Sequence, residues 1–144
     1  MRRLRAAGLH ILCLLVVVLV RIGLWVSSHQ RLRRLLVRPC PADPQPGRIR
    51  TVGRVTRAVA RMARLVPDGS CLTQTISCQA ILSWKGIPTT IAIGVRKDSP
   101  TGFEAHAWLI WNDRIVLQGN EESVQVFSRI LDLPTPTLPA PAAS

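Results

Sequence analysis

Hydrophobic positions in the first half of the chain predict helices. Residues 6–20 are apolar except for His10, and the apolar run resumes at 22–26 after Arg21, which predicts one long helix. Later, Val52, Val55 and Val59 recur at three- and four-residue steps, the spacing of a single helix face. The other side of that second helix carries four arginines, here called the arginine row: Arg54, Arg57, Arg61 and Arg64.

Turn and cap residues place another helix after this point. The segment 67–69 (Pro-Asp-Gly) breaks the chain, and Ser70 is a good N-cap for a helix predicted over 71–84. Gly86, followed by a proline, ends that helix in the usual order.

The apolar period then changes from helical to alternating, which predicts strands. Three strands are expected, at 89–96, 103–111 and 114–118. The second and third strands are expected to form a hairpin because an Asn-Asp pair separates them. A short closing helix is predicted over 121–131.

These elements predict an α+β fold in which the 71–84 helix packs on a small antiparallel sheet, with helices before it. The expected division of the chain is a helical extension at 1–38, a Pro-rich loop at 39–50, the main domain at 51–132 and a disordered Pro/Ala-rich tail at 133–144.

Composition and charge narrow the classes of protein. The 144 residues suit one small domain, 47% hydrophobic content excludes a wholly disordered chain, and four cysteines are too few for a disulfide scaffold. The net charge is +11, and its positive part lies in residues 1–66, which hold 14 arginines and one acidic residue, whereas residues 67–144 hold 5 basic and 7 acidic residues. A segment with this positive charge favours acidic binding partners such as nucleic acid, anionic lipid or an acidic peptide. Nucleic acid is disfavoured because no aromatic residue interleaves the arginine row.

The first predicted helix has three interpretations. In the first, the helix packs on its own domain or lies at a membrane surface. In the second it spans a membrane, and in the third it is a cleaved signal peptide. Arg21 interrupts the apolar run, and no A-x-A-like cleavage site follows it. Both observations favour the first interpretation.

Cys71 is the strongest candidate for chemistry. It falls in the first turn of its predicted helix, where main-chain N–H groups and the helix dipole favour the thiolate. The alternative is a small buried apolar residue, the expected role of Cys78 in mid-helix. Cys13 and Cys40 lie in the apolar run and the Pro-rich loop, and since there is no CxxC pair, no structural zinc site is expected.

His106 is the candidate general base. It lies on a predicted strand between Ala105 and Ala107, whose small side chains leave room for a substrate backbone. Alone it is equally compatible with a core or edge histidine that makes one hydrogen bond. A cysteine at a helix start upstream makes the pair a candidate Cys–His nucleophilic site.

A third residue should orient the imidazole, and hairpin register decides which one it is. A three-residue loop at 111–113 pairs Ile110 with Arg114 and places Gln118 opposite His106. A two-residue loop places Gly119 there instead, and Asn120 needs a different three-residue loop. Gln118 is the preferred candidate.

Residues 65–120 resemble the lasso-peptide leader peptidases, stand-alone members of the transglutaminase-like cysteine protease superfamily. The resemblance rests on four stretches in the same order and spacing: PDGSCL at 67–72, LSWKGIP at 82–88, IGV at 93–95 and FEAHAW at 103–108. It implies a transglutaminase/papain-like fold with Cys71 as nucleophile and His106 as general base. The family usually has Asp where Gln118 falls, so Asp113 or Asn120 is the alternative third member.

The same resemblance implies a cytoplasmic cysteine endopeptidase that removes the leader from a ribosomally made lasso-peptide precursor. Its expected partners are the precursor, a small leader-binding protein and an asparagine-synthetase-like cyclase, and membrane-surface contact through residues 6–26 is a further expectation. No metal or cofactor is expected. The alternatives are an acyl-transferring module and a non-catalytic module that binds a precursor or acidic partner.

Overall fold

The computed structural model describes residues 1–42 and 46–138. Within these ranges the chain forms helices and one antiparallel sheet, which confirms the predicted α+β class. The helices are α1 (Arg2–Val26), α2 (His29–Leu36), α3 (Ile49–Ala63), α4 (Cys71–Trp84) and α5 (Glu121–Val124), with a 3₁₀ turn at Pro46–Arg48.

The sheet has four strands, one more than predicted. They are β1 (Thr90–Ser99), β2 (Gly102–Trp111), β3 (Arg114–Leu117) and β4 (Ser128–Pro134), in the order β3-β2-β1-β4. The two long strands occupy the centre and pair with each other over most of their length.

A single hydrophobic core joins α1, α3, α4 and one face of the sheet. On β2 the alternate residues Ala107, Leu109 and Trp111 are buried in that core. Helix α1 contributes four residues to the same core, which are Cys13, Val16, Val17 and Val20. The structure therefore makes the N-terminal helix an integral part of the domain, in contrast to the predicted extension at 1–38.

The end of the chain also differs from the expectation. The predicted helix at 121–131 is helical only at Glu121–Val124, and Ser128–Pro134 pairs with β1 instead. Thr135 is buried and exchanges hydrogen bonds with the main chain of Thr89. Thr137 then forms a bridge with Cys40. Residues 133–138 are thus packed, whereas 139–144 of the predicted tail, and 43–45 of the Pro-rich loop, lie outside the described residues.

The β2–β3 hairpin has a two-residue turn. Asn112 and Asp113 have φ values of 49° and 61°, and Trp111 pairs with Arg114. Two consecutive left-handed residues form the turn whose twist suits a tight hairpin. One step further in, the register shifts by a bulge, so that Leu109 pairs with Leu117. The predicted pairing of Ile110 with Arg114 is therefore wrong. The bulge determines which residue after β3 lies beside His106.

Candidate active site

Cys71 is the first residue of α4, as the cap signal predicted. The side chain of Ser70 caps the helix by accepting a hydrogen bond from the Thr73 N–H at 3.3 Å. The preceding turn is tight, because a Cβ on Gly69 would lie 2.6 Å from the Ala63 carbonyl oxygen. Only glycine fits there, so the turn fixes where the helix of Cys71 begins.

The main-chain N–H groups of Cys71 and Leu72 have no hydrogen-bond acceptor among the described residues. Such free donors are a general property of helix N-termini, and they attract negative charge. Here they adjoin the Cys71 sulfur, where the oxyanion of an attacked carbonyl would form.

Arg21, the charged residue in the apolar run, holds the loop before Cys71. Its guanidinium donates to the Pro67 carbonyl at 3.3 Å and to the Asp68 carboxylate at 3.2 Å, and lies over the Trp25 ring. The side chain of Arg21 is only 19% exposed. This arginine therefore links α1 to the turn that precedes Cys71.

Cys71 differs from the other cysteines in exposure. It is half-buried, while Cys13, Cys40 and Cys78 are fully buried, and all four are free. Burial raises the pKa of the Cys13 thiol to about 11 and also raises the pKa of Cys40 and Cys78. These three thiols stay protonated at neutral pH, which is the inert form.

The imidazole of His106 is oriented by a main-chain oxygen. Its Nε2–H donates to the Gln118 carbonyl at 2.6 Å. Because a carbonyl oxygen can only accept, this bond assigns the proton to Nε2 in the neutral ring. Nδ1 then carries the lone pair and is the atom able to take a proton from a thiol.

Aromatic packing also holds the ring of His106. Its centroid lies 6.0 Å from that of Trp108 and 5.3 Å from that of Phe127, with interplanar angles of 25° and 27°. Gly94, opposite His106 in the β1–β2 ladder, leaves space for both aromatic side chains. The imidazole is thus fixed by one hydrogen bond and two ring contacts.

Gln118 contacts His106 through its main chain and not through its side chain as predicted. It adopts a φ of 65°, which turns its carbonyl towards His106, while its side-chain amide donates to Gln74 Oε1 at 2.5 Å. Gln74 lies three residues after Cys71 in α4 and donates to the Gly69 carbonyl at 3.1 Å. A chain of three hydrogen bonds therefore connects the imidazole to the turn that carries Cys71.

The structure places the two alternative third residues elsewhere. Asp113 is exposed in the hairpin turn, five residues along β2 from the position of His106, or roughly 17 Å at strand spacing. Asn120 caps α5, and its side-chain oxygen accepts from the Ser123 N–H at 2.8 Å. Of the three candidates, only Gln118 contacts His106.

The Cys71 sulfur makes no hydrogen bond with any residue in 1–42 or 46–138, so thiol and imidazole are not in direct hydrogen-bond contact. Catalytic hydrogen bonds are commonly long before substrate binds and tighten in the complex. In the same ranges, no group of three or more His, Cys, Asp or Glu side chains is placed to hold a metal ion.

Sequence reasoning missed three residues of this site. Gln74 could have been found, because residues three apart on a helix share a face and Cys71 was already a candidate. Arg21 was noticed only as an interruption of the apolar run. Phe127 carries no local signal, since its contact with His106 depends on the strand pairing of β4.

Comparison with known proteins gave one finding. Searches of curated proteins and of solved structures each returned no match. The family model of the transglutaminase-like superfamily matches residues 14–132, from within α1 to within β4. That match covers the core helices, Cys71, His106 and Gln118. The chain belongs to the transglutaminase-like superfamily.

Proposed function

We propose that this protein is a cysteine endopeptidase with Cys71 as nucleophile and His106 as general base. One observation carries the proposal. The accessible Cys71 thiol lies at the start of α4, next to a turn that is connected to the His106 imidazole by hydrogen bonds through Gln74 and Gln118. The imidazole uses Nε2 in this chain of hydrogen bonds, which leaves Nδ1 as the proton acceptor. These are the groups that nucleophilic catalysis by a thiol requires.

The reaction follows from these groups. His106 Nδ1 takes the Cys71 proton, and the thiolate attacks the carbonyl carbon of the scissile peptide bond. The N–H groups of Cys71 and Leu72 stabilise the resulting oxyanion. When the C–N bond breaks, the imidazolium gives its proton to the leaving amine, and a thioester remains on Cys71. His106 then deprotonates a water molecule that hydrolyses the thioester and frees the new carboxyl group.

The proposed substrate is the leader of a lasso-peptide precursor, and its support is the resemblance in four stretches that include both Cys71 and His106. The thioester would hold the leader, and the core peptide would leave as the amine. A small leader-binding protein that presents the precursor, a cyclase that acts on the freed core and a cytoplasmic location belong to the same proposal.

The arginine row supports capture of an acidic segment. All four of its side chains are exposed, three on α3 and Arg64 directly after its last residue, and none of them forms an ion pair within the described residues. A leader or partner with acidic residues would therefore meet unpaired positive charge. This surface is also what the non-catalytic alternative would use.

The test is cleavage of a lasso-peptide precursor, with a leader-binding protein present and mass spectrometry of the products. Wild type should release leader and core, and Cys71→Ala should release neither. Cys78→Ala is the matched control, since it removes a buried thiol from the same helix and should cost only about 1–2 kcal/mol of stability.

The products separate the alternatives. In a protease the leader ends in a free carboxyl group. An acyl transferase would instead yield the leader as an amide of an added amine, with little free acid. If Cys71→Ala cleaves the precursor as fast as wild type, the protease proposal fails. If wild type and Cys71→Ala both bind the precursor and neither cleaves it, the protein is the non-catalytic binding module.

A further inference from the structure

Helix α1 has a second face that no described residue covers. By length and hydropathy α1 could cross a bilayer, a criterion that core helices and signal sequences also satisfy. Its inner face packs in the core, but its outer face leaves large apolar side chains in solvent. Leu15 is 63% exposed and Trp25 is 74% exposed. The other strongly exposed members are Leu4, Ile11, Ile22 and Val26.

These side chains form one continuous surface, here called the α1 outer face. At about 100° of rotation per residue, they fall on the side of α1 opposite the buried Cys13, Val16 and Val20. From Leu4 to Val26 the surface is roughly 33 Å long at 1.5 Å per residue. An exposed apolar surface of this extent on a folded domain marks an interaction site.

A shallow groove widens this surface at one end. It lies between α1 and the 65–68 segment, with a volume of about 470 Å³. Leu15, Ile22 and Trp25 form one wall, and Leu65, itself 67% exposed, lies on the other side. The apolar surface therefore extends beyond a single helix.

Exposed arginines occur at the first turn of α1 and on the helix that follows its other end. Arg3 and Arg5 are exposed at the first turn of α1 and fall on its two flanks, and Arg31 and Arg34 are exposed on α2, which follows directly. No acidic residue occurs between Met1 and Asp43. An apolar helix face with arginines beside it and tryptophan near its end is the pattern of a helix lying in a lipid interface.

We propose that the α1 outer face docks this protein on the surface of an anionic lipid bilayer, with α1 parallel to the membrane plane. A transmembrane orientation conflicts with the structure, because the inner face of α1 is committed to the core and Arg21 is paired with Asp68. The proposal does not depend on the catalytic role of Cys71.

Charge argues against a second copy of this chain as the occupant. If two α1 outer faces met in parallel, the arginines of the first turn would face each other. If they met antiparallel, those arginines would approach the far end of the other α1, which α2 with its exposed Arg31 and Arg34 follows directly. Like charges at close range oppose both arrangements, whereas anionic headgroups favour contact.

The experiment is co-sedimentation of the full chain with vesicles of phosphatidylcholine alone or mixed with phosphatidylglycerol. Wild type should bind the anionic vesicles at least about tenfold more tightly, and this preference should fall between about 0.05 M and 0.5 M salt. Leu15→Glu with Ile22→Glu should abolish binding, and so should Leu4→Glu with Ile11→Glu, which leaves the groove intact. Circular dichroism checks that each variant is folded.

Two control variants match these changes on the sheet side of the molecule. Ile130→Glu charges an equally exposed apolar residue of β4. Arg3→Glu with Arg5→Glu should remove the preference of the protein for anionic vesicles, and Lys97→Glu with Arg114→Glu is its charge-reversal control. Both controls should bind vesicles like wild type. Equal binding by controls and α1 variants would overturn the proposal, as would failure of the wild type to bind. A dimer that Leu15→Glu dissociates, without vesicle binding, would assign the face to a second copy.

Discussion

A methyl group added at Gly94 should displace the aromatic side chains that hold His106. Gly94 is buried in β1 directly opposite His106. The new Cβ of Gly94→Ala would lie 2.9 Å from the Cβ of Phe127 and 2.9 Å from Cη2 of Trp108, against 3.4–4 Å for an ordinary contact. Neither neighbour is the free end of a flexible chain, so both must move by about 0.5 Å or more.

The expected magnitude follows from that displacement. Overpacking of this kind costs about 1–3 kcal/mol, and the loss of glycine's backbone freedom returns about 0.5–1 kcal/mol of it. Because Phe127 and Trp108 pack on the imidazole, His106 should shift with them. A misplacement of about 1 Å can cost a hundredfold in rate, so a shift of half that size should lower kcat by roughly tenfold. KM should change little, since the substrate contacts remain.

Urea unfolding gives the stability, and precursor cleavage at a temperature where both proteins are folded gives kcat and KM. Gly8→Ala is the matched control, because nothing lies within 4 Å of its Cβ position, and it should leave kcat unchanged. A Gly94→Ala protein as stable and active as wild type would refute the packing described around His106. A destabilised protein with unchanged kcat would show that the aromatic contacts do not position the imidazole.

Three further predictions concern other parts of the molecule. Gln118→Gly loses the side-chain bond to Gln74 but keeps the φ of 65° at which the carbonyl orients His106, so it should retain more turnover than Gln118→Val, which loses that bond and is strained at that φ. The two kcat values should differ by about tenfold or more, and equal values would contradict the carbonyl's role. Arg57→Glu with Arg61→Glu should raise KM at low salt with kcat unchanged, and the effect should vanish near about 0.5 M salt. An unchanged KM at low salt would show that the arginine row does not contribute to substrate binding. Burial raises the pKa of Cys13 from 9.0 to about 11, so the unfolded chain ionises first and stability should fall by about 2–3 kcal/mol between those pH values. Urea titrations should show a shallower fall for Cys13→Ala, and parallel curves would contradict this assignment.

Local signals predicted α1, α3 and α4 well. The apolar face of α3 is buried at Val52, Val55 and Val59, and Ser70 caps α4 as its residue type indicated. These features depend on spacing and capping within a few residues, which the sequence contains directly. For α1 the sequence predicted a long helix but not which side faces the core, because apolar residues surround it.

Features that depend on distant pairing were harder to predict. The segment 128–134 has no clear alternation and becomes β4 only because it completes hydrogen bonds to β1. Residues 133–138 are ordered through contacts with Thr89 and Cys40, far away in sequence. The bulge between the Ile110–Ile115 and Leu109–Leu117 pairs altered the β2–β3 register, so Gln118 contacts His106 through its main-chain carbonyl and not through the predicted side chain.

In the proposed reaction Cys71 forms a covalent thioester with the cleaved peptide, and this thioester can be trapped and identified by its mass. Wild-type protein mixed with precursor and quenched in acid during the first turnover should gain the mass of the leader less one water, on the peptide that contains Cys71. The Cys78→Ala protein should give the same adduct, and Cys71→Ala should give none. Cleavage of the precursor by Cys71→Ala, or a leader adduct on another cysteine, would refute the role of Cys71 as nucleophile.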